Sequence, residues 1–143
     1  MQSAARKESG FTLIELVVVI TILGILAAFA LPRFASLEVQ ARTATVQALG
    51  GSVRSSAALS HSLWLSIGQP ASVTMEGQAI AMVNGYPDLA TIDDSLSDLS
   101  GFTYTAGTGV FQKNGVAGNC RITYTEAAAA GSAPGVATDV SAC

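Results

Sequence analysis

The stretch Lys7-Glu8-Ser9-Gly10-Phe11-Thr12-Leu13-Ile14-Glu15-Leu16, with the apolar run that continues to Leu31, decides how this chain is read. From Phe11 to Leu31 the one charged residue is Glu15. About 21 residues at ~1.5 Å each span a hydrocarbon core of ~30 Å, so the run reads as a membrane-crossing helix. A soluble domain of this size cannot cover such a run on every side. A carboxylate just inside the span is costly and calls for a functional explanation. Arg6 and Lys7 hold the leader on the cytoplasmic side under the positive-inside rule, and the rest of the chain then follows the span to the other side. A secretory signal places its apolar core before the cleavage site. Here the candidate cut comes first, so the apolar core stays on the mature chain.

The chain has 143 residues, of which half are hydrophobic and 12% charged, and its net charge is −3. Seven Lys and Arg spread along it make no basic patch, which argues against nucleic acid as a partner. Behind the first third lies a polar, small-residue-rich region of about 80 residues, marginal without a staple or a packed helix. Two cysteines, Cys120 and Cys143, sit near the C-terminus. In an exported chain an isolated pair reads as one disulfide.

Gly10-Phe11-Thr12-Leu13-Ile14-Glu15-Leu16 and the run behind it resemble the class III signal of type IV pilins and pseudopilins. The resemblance covers roughly the first 35 to 40 residues. It implies a prepilin peptidase that cuts between Gly10 and Phe11 and methylates the new N-terminus at Phe11. It also matches Glu15 to the acidic residue of that family. Physical chemistry agrees: the freed Phe11 amine is a cation, and a Glu in an apolar shaft gains most from an opposite charge in the same low-dielectric setting. With helices stacked at an axial stagger, Glu15 of one subunit meets the Phe11 amine of the next and sets the register. Gly24 and Pro32 are expected to break the helix, since Pro32 cannot donate to the carbonyl of Ala28. The resemblance implies loss of helicity between them in a filament.

Beyond Pro32 the pattern turns amphipathic. Phe34, Leu37, Ala41, Ala44 and Ala48 follow three- and four-residue spacing and are the expected packed face. Glu38 and Arg42 form an i,i+4 pair. Gly50-Gly51 weakens the middle, and Ser52, Ser55, Ser56, Ala57 and Ala58 allow another surface to approach closely. The helix is expected to end near Ser62 or Leu65, before Gly68-Gln69-Pro70. His61, the single histidine, has no metal-site or nucleophile constellation around it and reads as a solvated or hydrogen-bonded helix-end residue. Trp64 reads as packing beneath the sheet.

Ser72 to Met75 and Gln78 to Val83 flank Glu76-Gly77 as a hairpin, with Asn84-Gly85-Tyr86-Pro87 as a turn. Thr91-Ile92-Asp93-Asp94 suits the capping box of a short helix reaching Leu99. Asp88, Asp93, Asp94 and Asp98 lack the spacing of a calcium loop and read as caps and solvated charge. Phe102 to Thr105, Val110 to Lys113 and Ile122 to Thr125 form an antiparallel meander, with Cys120 on the buried parity of Ile122 and Tyr124. Val136 to Val140 is the final strand, and a Cys120–Cys143 bridge closes the loop before it.

The expected architecture is α+β: a leader over 1–10, an apolar half-helix over 11–32, an amphipathic half over 33–66 and an antiparallel-sheet head over 67–143. By the resemblance this is the type IV pilin fold. The implied function is a filament subunit stored in the bacterial inner membrane, with the peptidase, an assembly platform and further copies of itself as partners. Assembly then carries it to the cell surface for adhesion, motility or DNA uptake. The alternative is a minor pilin or a type II secretion pseudopilin. The Gly-Tyr-Pro turn and compact disulfide loop resemble the mannose-sensitive haemagglutinin pilins. No cofactor or catalytic constellation is read, and an anchored enzyme is the disfavoured class.

Overall fold

The structure, a computed structural model, describes residues 10–143. Arg6 and Lys7, and the expectation that they stay in the cytoplasm, lie outside the described residues. The elements run α1 (Leu13–Ser66), β1 (Ser72–Met75), β2 (Gln78–Val83), β3 (Tyr86–Pro87), a 3₁₀ turn (Asp93–Ser95), β4 (Phe102–Thr105), β5 (Val110–Lys113), β6 (Arg121–Thr125) and β7 (Gly135–Asp139). The chain divides into two compact units, one ending at Glu38 and one beginning at Val39.

In the first unit every residue from Gly10 to Phe29 is exposed. An 18-residue window of α1 reaches a mean hydropathy of 2.7 with none of it buried. The helix is therefore long and apolar enough to cross a membrane. α1 is assigned as one helix through both Gly24 and Pro32. Pro32 removes one donor from the ladder, and the bonds on either side carry the helix across it. A single Gly costs about 1 kcal/mol against Ala, which a helix of this length absorbs.

The second unit packs the later turns of α1 on strands. Its buried helical stripe is Val46, Leu49, Gly50, Val53, Ser56, Ala57 and Ser60. This corrects the expected face: Phe34, Leu37, Ala41, Ala44 and Ala48 are all exposed. The helix carries two apolar stripes, and the one holding Val46, Leu49 and Val53 goes to the sheet because it offers bulk beside a gap. Gly50 is that gap. A Cβ there would lie 3.1 Å from Ile122 Cδ1 and 3.2 Å from Thr138 Oγ1. Arg54 then donates to the Val136 carbonyl (3.0 Å) and Arg42 to that of Cys143 (3.1 Å).

The strands form two antiparallel sheets, ordered β1-β2-β3 and β4-β5-β6-β7. The first hairpin closes with Met75 opposite Gln78. Its turn residues Glu76 and Gly77 both have positive φ, 50° and 82°, the backbone a twist-matched two-residue turn requires. Asn84-Gly85 repeats the device and delivers β3, a strand not expected from the sequence. In the larger sheet Phe111, Cys120, Ile122 and Tyr124 are fully buried with Val46, Val53 and Ile92. Cys120 and Cys143 are bonded, as the isolated pair suggests.

The short helix from Thr91 to Leu99 is a further correction. One 3₁₀ turn forms, and Ile92 at its N-cap makes no side-chain cap. Asp88 takes that work: its Oδ1 accepts from the amides of Ala90 (3.0 Å) and Thr91 (2.9 Å) and from the Thr91 hydroxyl (2.7 Å). The Thr91 oxygen is committed to the Ala81 amide at 2.9 Å. The chain turns extended at Leu96, so Leu96 and Leu99 pack on the core instead of continuing a helix. Tyrosine hydroxyls pin this loop, Tyr124 to the Pro87 carbonyl (2.7 Å) and Tyr104 to that of Leu89 (2.6 Å). Burial pushes the Tyr104 hydroxyl up to about 12 and raises Tyr124 further. Both therefore stay donors at neutral pH.

The adjacent glycines of α1 should respond to substitution in opposite ways. A Cβ on Gly51 faces open space, so Gly51→Ala is expected to stabilise the detergent-solubilised chain by about 0.5–1 kcal/mol in urea melts. At Gly50 the added methyls of Val meet Ile122 and Thr138, and Gly50→Val is expected to destabilise it by about 1–3 kcal/mol. Asp93 Oδ1 is enclosed with no hydrogen-bond partner among the described residues, and desolvation raises its carboxyl above the usual range. A raised carboxyl favours the folded state when protonated, and that advantage is lost as pH rises through the folded value. Asp93→Asn is therefore expected to raise the melting temperature at pH 7, with the gain shrinking as pH falls to about 4, near the unfolded Asp value.

Candidate assembly site

Gly10, Phe11 and Thr12 precede the helix in non-helical backbone, and α1 begins at Leu13. The candidate scissile bond between Gly10 and Phe11 therefore lies outside the helix. The Phe11 side chain is 82% exposed. With Ile14, Glu15, Val18 and Val19 it lines an open recess of about 390 Å³, and Glu15 is the one charge among those residues.

Glu15 has a partner within its own chain, Thr12. Its Oε2 accepts from the Thr12 amide at 2.9 Å and from the Thr12 hydroxyl at 2.6 Å. Glu15 N–H points back at Thr12 Oγ1 over a longer 3.4 Å. This is a capping box: N-cap threonine and the carboxylate three residues on satisfy amides that the helix cannot. The carboxylate also faces the positive end of the helix dipole. The signal is plain in Thr12-Leu13-Ile14-Glu15, the same spacing that Thr91 and Asp94 offer without forming a box. Glu15 is thus held in its own first turn.

The second unit offers a different surface. Its buried stripe faces the sheet, and Ala48, Gly51, Ser52, Ser55 and Leu59 on another side of α1 border an open groove of about 540 Å³. Met75 and Glu76 form one wall, Ser95 to Ser97 the other. Small residues let a second helix approach closely, the property expected of this part of α1. His61, as expected, is hydrogen-bonded, its Nδ1 lying 2.7 Å from the Gly85 carbonyl. It stacks on Tyr86 with centroids 4.3 Å apart. Trp64 packs on the Asn84-Gly85 turn, where a Cβ on Gly85 would lie 2.8 Å from its ring, and donates to the Pro70 carbonyl. Among the acids considered for calcium, Asp88 and Asp98 serve as caps, the latter to Ser100. Among the described residues no cluster of three His, Cys, Asp or Glu is placed to hold a metal.

Residues 5–31 match the model of the prokaryotic N-terminal methylation motif. Over 53 residues the chain is 53% identical to the type IV narrow pilus major component PilA5 of Thermus thermophilus, covering 37% of this chain and 46% of that protein. The chain thus spans about half the length of the curated relative it matches. No solved structure matches it. The N-terminal segment is thus similar to that of a type IV pilin and carries the N-terminal methylation motif. The long apolar helix, antiparallel sheets and C-terminal disulfide form an α+β architecture. Type IV pilins are in general structural subunits and not enzymes.

The capping box predicts a local effect. Thr12→Val keeps the shape and removes the hydroxyl, and is expected to cost the first turn about 1 kcal/mol. In detergent micelles, amide exchange at Leu13 to Glu15 should then speed up while the β6 amides stay unchanged.

Proposed function

We propose that the chain is the structural subunit of a type IV pilus, held in the inner membrane by α1 and polymerised into a surface filament. The observation that carries this reading is the coincidence of the methylation motif over residues 5–31 with a helix whose apolar 18-residue window is unburied among the described residues. A prepilin peptidase cuts between Gly10 and Phe11 and methylates the Phe11 amine. The non-helical backbone at Gly10 to Thr12 supports this, because such a segment threads into a protease cleft more readily than a helical one. Residues 11–32 form the membrane and filament-core half of the helix, 33–66 the half that also serves the head, and 67–143 the head. The role is structural and non-catalytic.

Glu15 sets the register in this proposal. Cleavage creates a cation at Phe11, and the carboxylate then exchanges its Thr12 hydrogen bonds for a charge-assisted contact with the amine of a neighbouring subunit. Assembly on the inner-membrane platform moves Glu15 from one partner to the other. The gain lies in neutralising two charges at once within an apolar core.

Mass spectrometry of the N-terminus in sheared surface material tests the reading. The expected species begins at N-methylated Phe11; a Met1 start, or absence from the sheared fraction, overturns it. Gly10→Leu is expected to leave full-length precursor in the membrane. Glu15→Ala is expected to be cut normally and to yield few or no filaments by electron microscopy.

A further inference from the structure

We propose that the groove beside α1 receives the 22–37 segment of a second copy of this chain, with Arg33 of that copy paired to Glu76 on the rim. This rests on the filament reading above and names the contact between subunits.

The groove is shallow and open, suited to the side-chain ridge of a helix rather than to a whole helix. Ala48, Gly51, Ser52 and Ser55 present little beyond backbone, and a Cβ on Gly51 would meet nothing within 4 Å. Side chains this small let two helix axes approach to about 8 Å. Among the described residues, Glu76 is the one charge lining the groove. Its backbone, φ 50°, belongs to the tight β1–β2 turn, which fixes where its carboxylate emerges. No hydrogen bond or ion pair engages that carboxylate among the described residues.

The complementary surface lies on the first unit. Ile22, Leu26, Phe29, Arg33 and Leu37 fall at helical spacing along one face of α1. The four apolar members of that face are 53–76% exposed. Arg33 is the sole cation among the described residues of that unit, and its guanidinium has no partner there. One stripe thus carries a single positive charge amid apolar side chains, and one groove carries a single negative charge amid small ones. Each copy owns one of each. Contact between two different patches is heterologous, and it propagates into an open polymer where its rotation does not close. The paired charges select which helical face enters and at what height, a function charge complementarity performs better than it adds affinity.

Charge reversal tests this. Glu76→Arg and Arg33→Glu are each expected to cut sheared filament protein about tenfold or more, because like charges then face each other at the rim. The double variant restores the pair in reverse and is expected to recover filaments. Membrane pool and Phe11 start are measured for every variant, so that loss of subunit is separated from loss of assembly. A second readout is cross-linking: Arg33→Cys with Glu76→Cys is expected to give a ladder of disulfide-linked subunits in sheared filaments under mild oxidant. Single reversals that assemble like the wild type overturn the proposal. So does a double variant that is cut and membrane-resident yet no better than the singles, the result expected if Arg33 serves only as an anchor to lipid phosphates. A wild-type chain that is never cut or sheared from the surface defeats the filament reading, and the proposal with it.

Discussion

The approach of α1 to the larger sheet across Gly50 is the contact on which the second unit depends. A Cβ at that position would crowd Ile122 Cδ1 and Thr138 Oγ1 at 3.1 and 3.2 Å, so the side chains there would have to give way. Arg54 and Arg42 each end on a carbonyl from the last strand or the chain's final residue, so the helix backbone must sit close for both to arrive. Once it does, Val46 and Val53 are sealed against Phe111, Ile122 and Tyr124. The disulfide then holds Cys143 beside Cys120 at the foot of β6. A glycine that lowers helix propensity thus makes the helix useful, because tertiary packing outweighs a local cost of about 1 kcal/mol.

Much of this is legible from residue types. Alternation in Phe102 to Thr105 and Ile122 to Thr125, with glycine-bearing turns, points to the meander, and Glu76-Gly77 points to the first hairpin in register. Parity places Cys120 on the buried face. What periodicity alone does not decide is which of two apolar stripes on α1 the sheet takes. Phe34, Leu37 and three alanines obey helical spacing as well as Val46, Leu49 and Val53 do. The choice depends on Ile122 and Thr138, on strands β6 and β7 far along the chain, and no local window contains both sides of that contact. Helix continuity through Pro32 escapes local reading for a related reason. The missing donor is a local fact, and the ladder around it is a cooperative one.

At the candidate site, sequence reasoning finds the acid and its chemistry and misses its partner within the chain. Thr12 and Glu15 form a box that needs no third element, so local pattern suffices to see it. The same pattern at Thr91 fails because Asp88, three residues earlier, outcompetes it for the amides and the hydroxyl. A capping motif is a competition among nearby acceptors, and a search that stops at the first match does not see the competitor. The box also changes how Glu15 is understood. A carboxylate with two hydrogen bonds in its own helix is already partly solvated by protein, which lowers the cost of keeping it in an apolar run.

The long reach of those arginines has a consequence for the order of events in synthesis. Arg54 and Val136 are separated by 82 residues, and Arg42 and Cys143 by 101. A chain made from its N-terminus completes α1 long before its partners exist, so the stripe at Val46, Leu49 and Val53 waits uncovered. The β1–β2 hairpin and the β4–β5 pair close early because their contacts are local. Docking of α1 cannot finish until β7 has formed and Cys143 has reached Cys120. The apolar stripe of α1 is therefore the surface of the second unit that stays uncovered longest as the chain emerges.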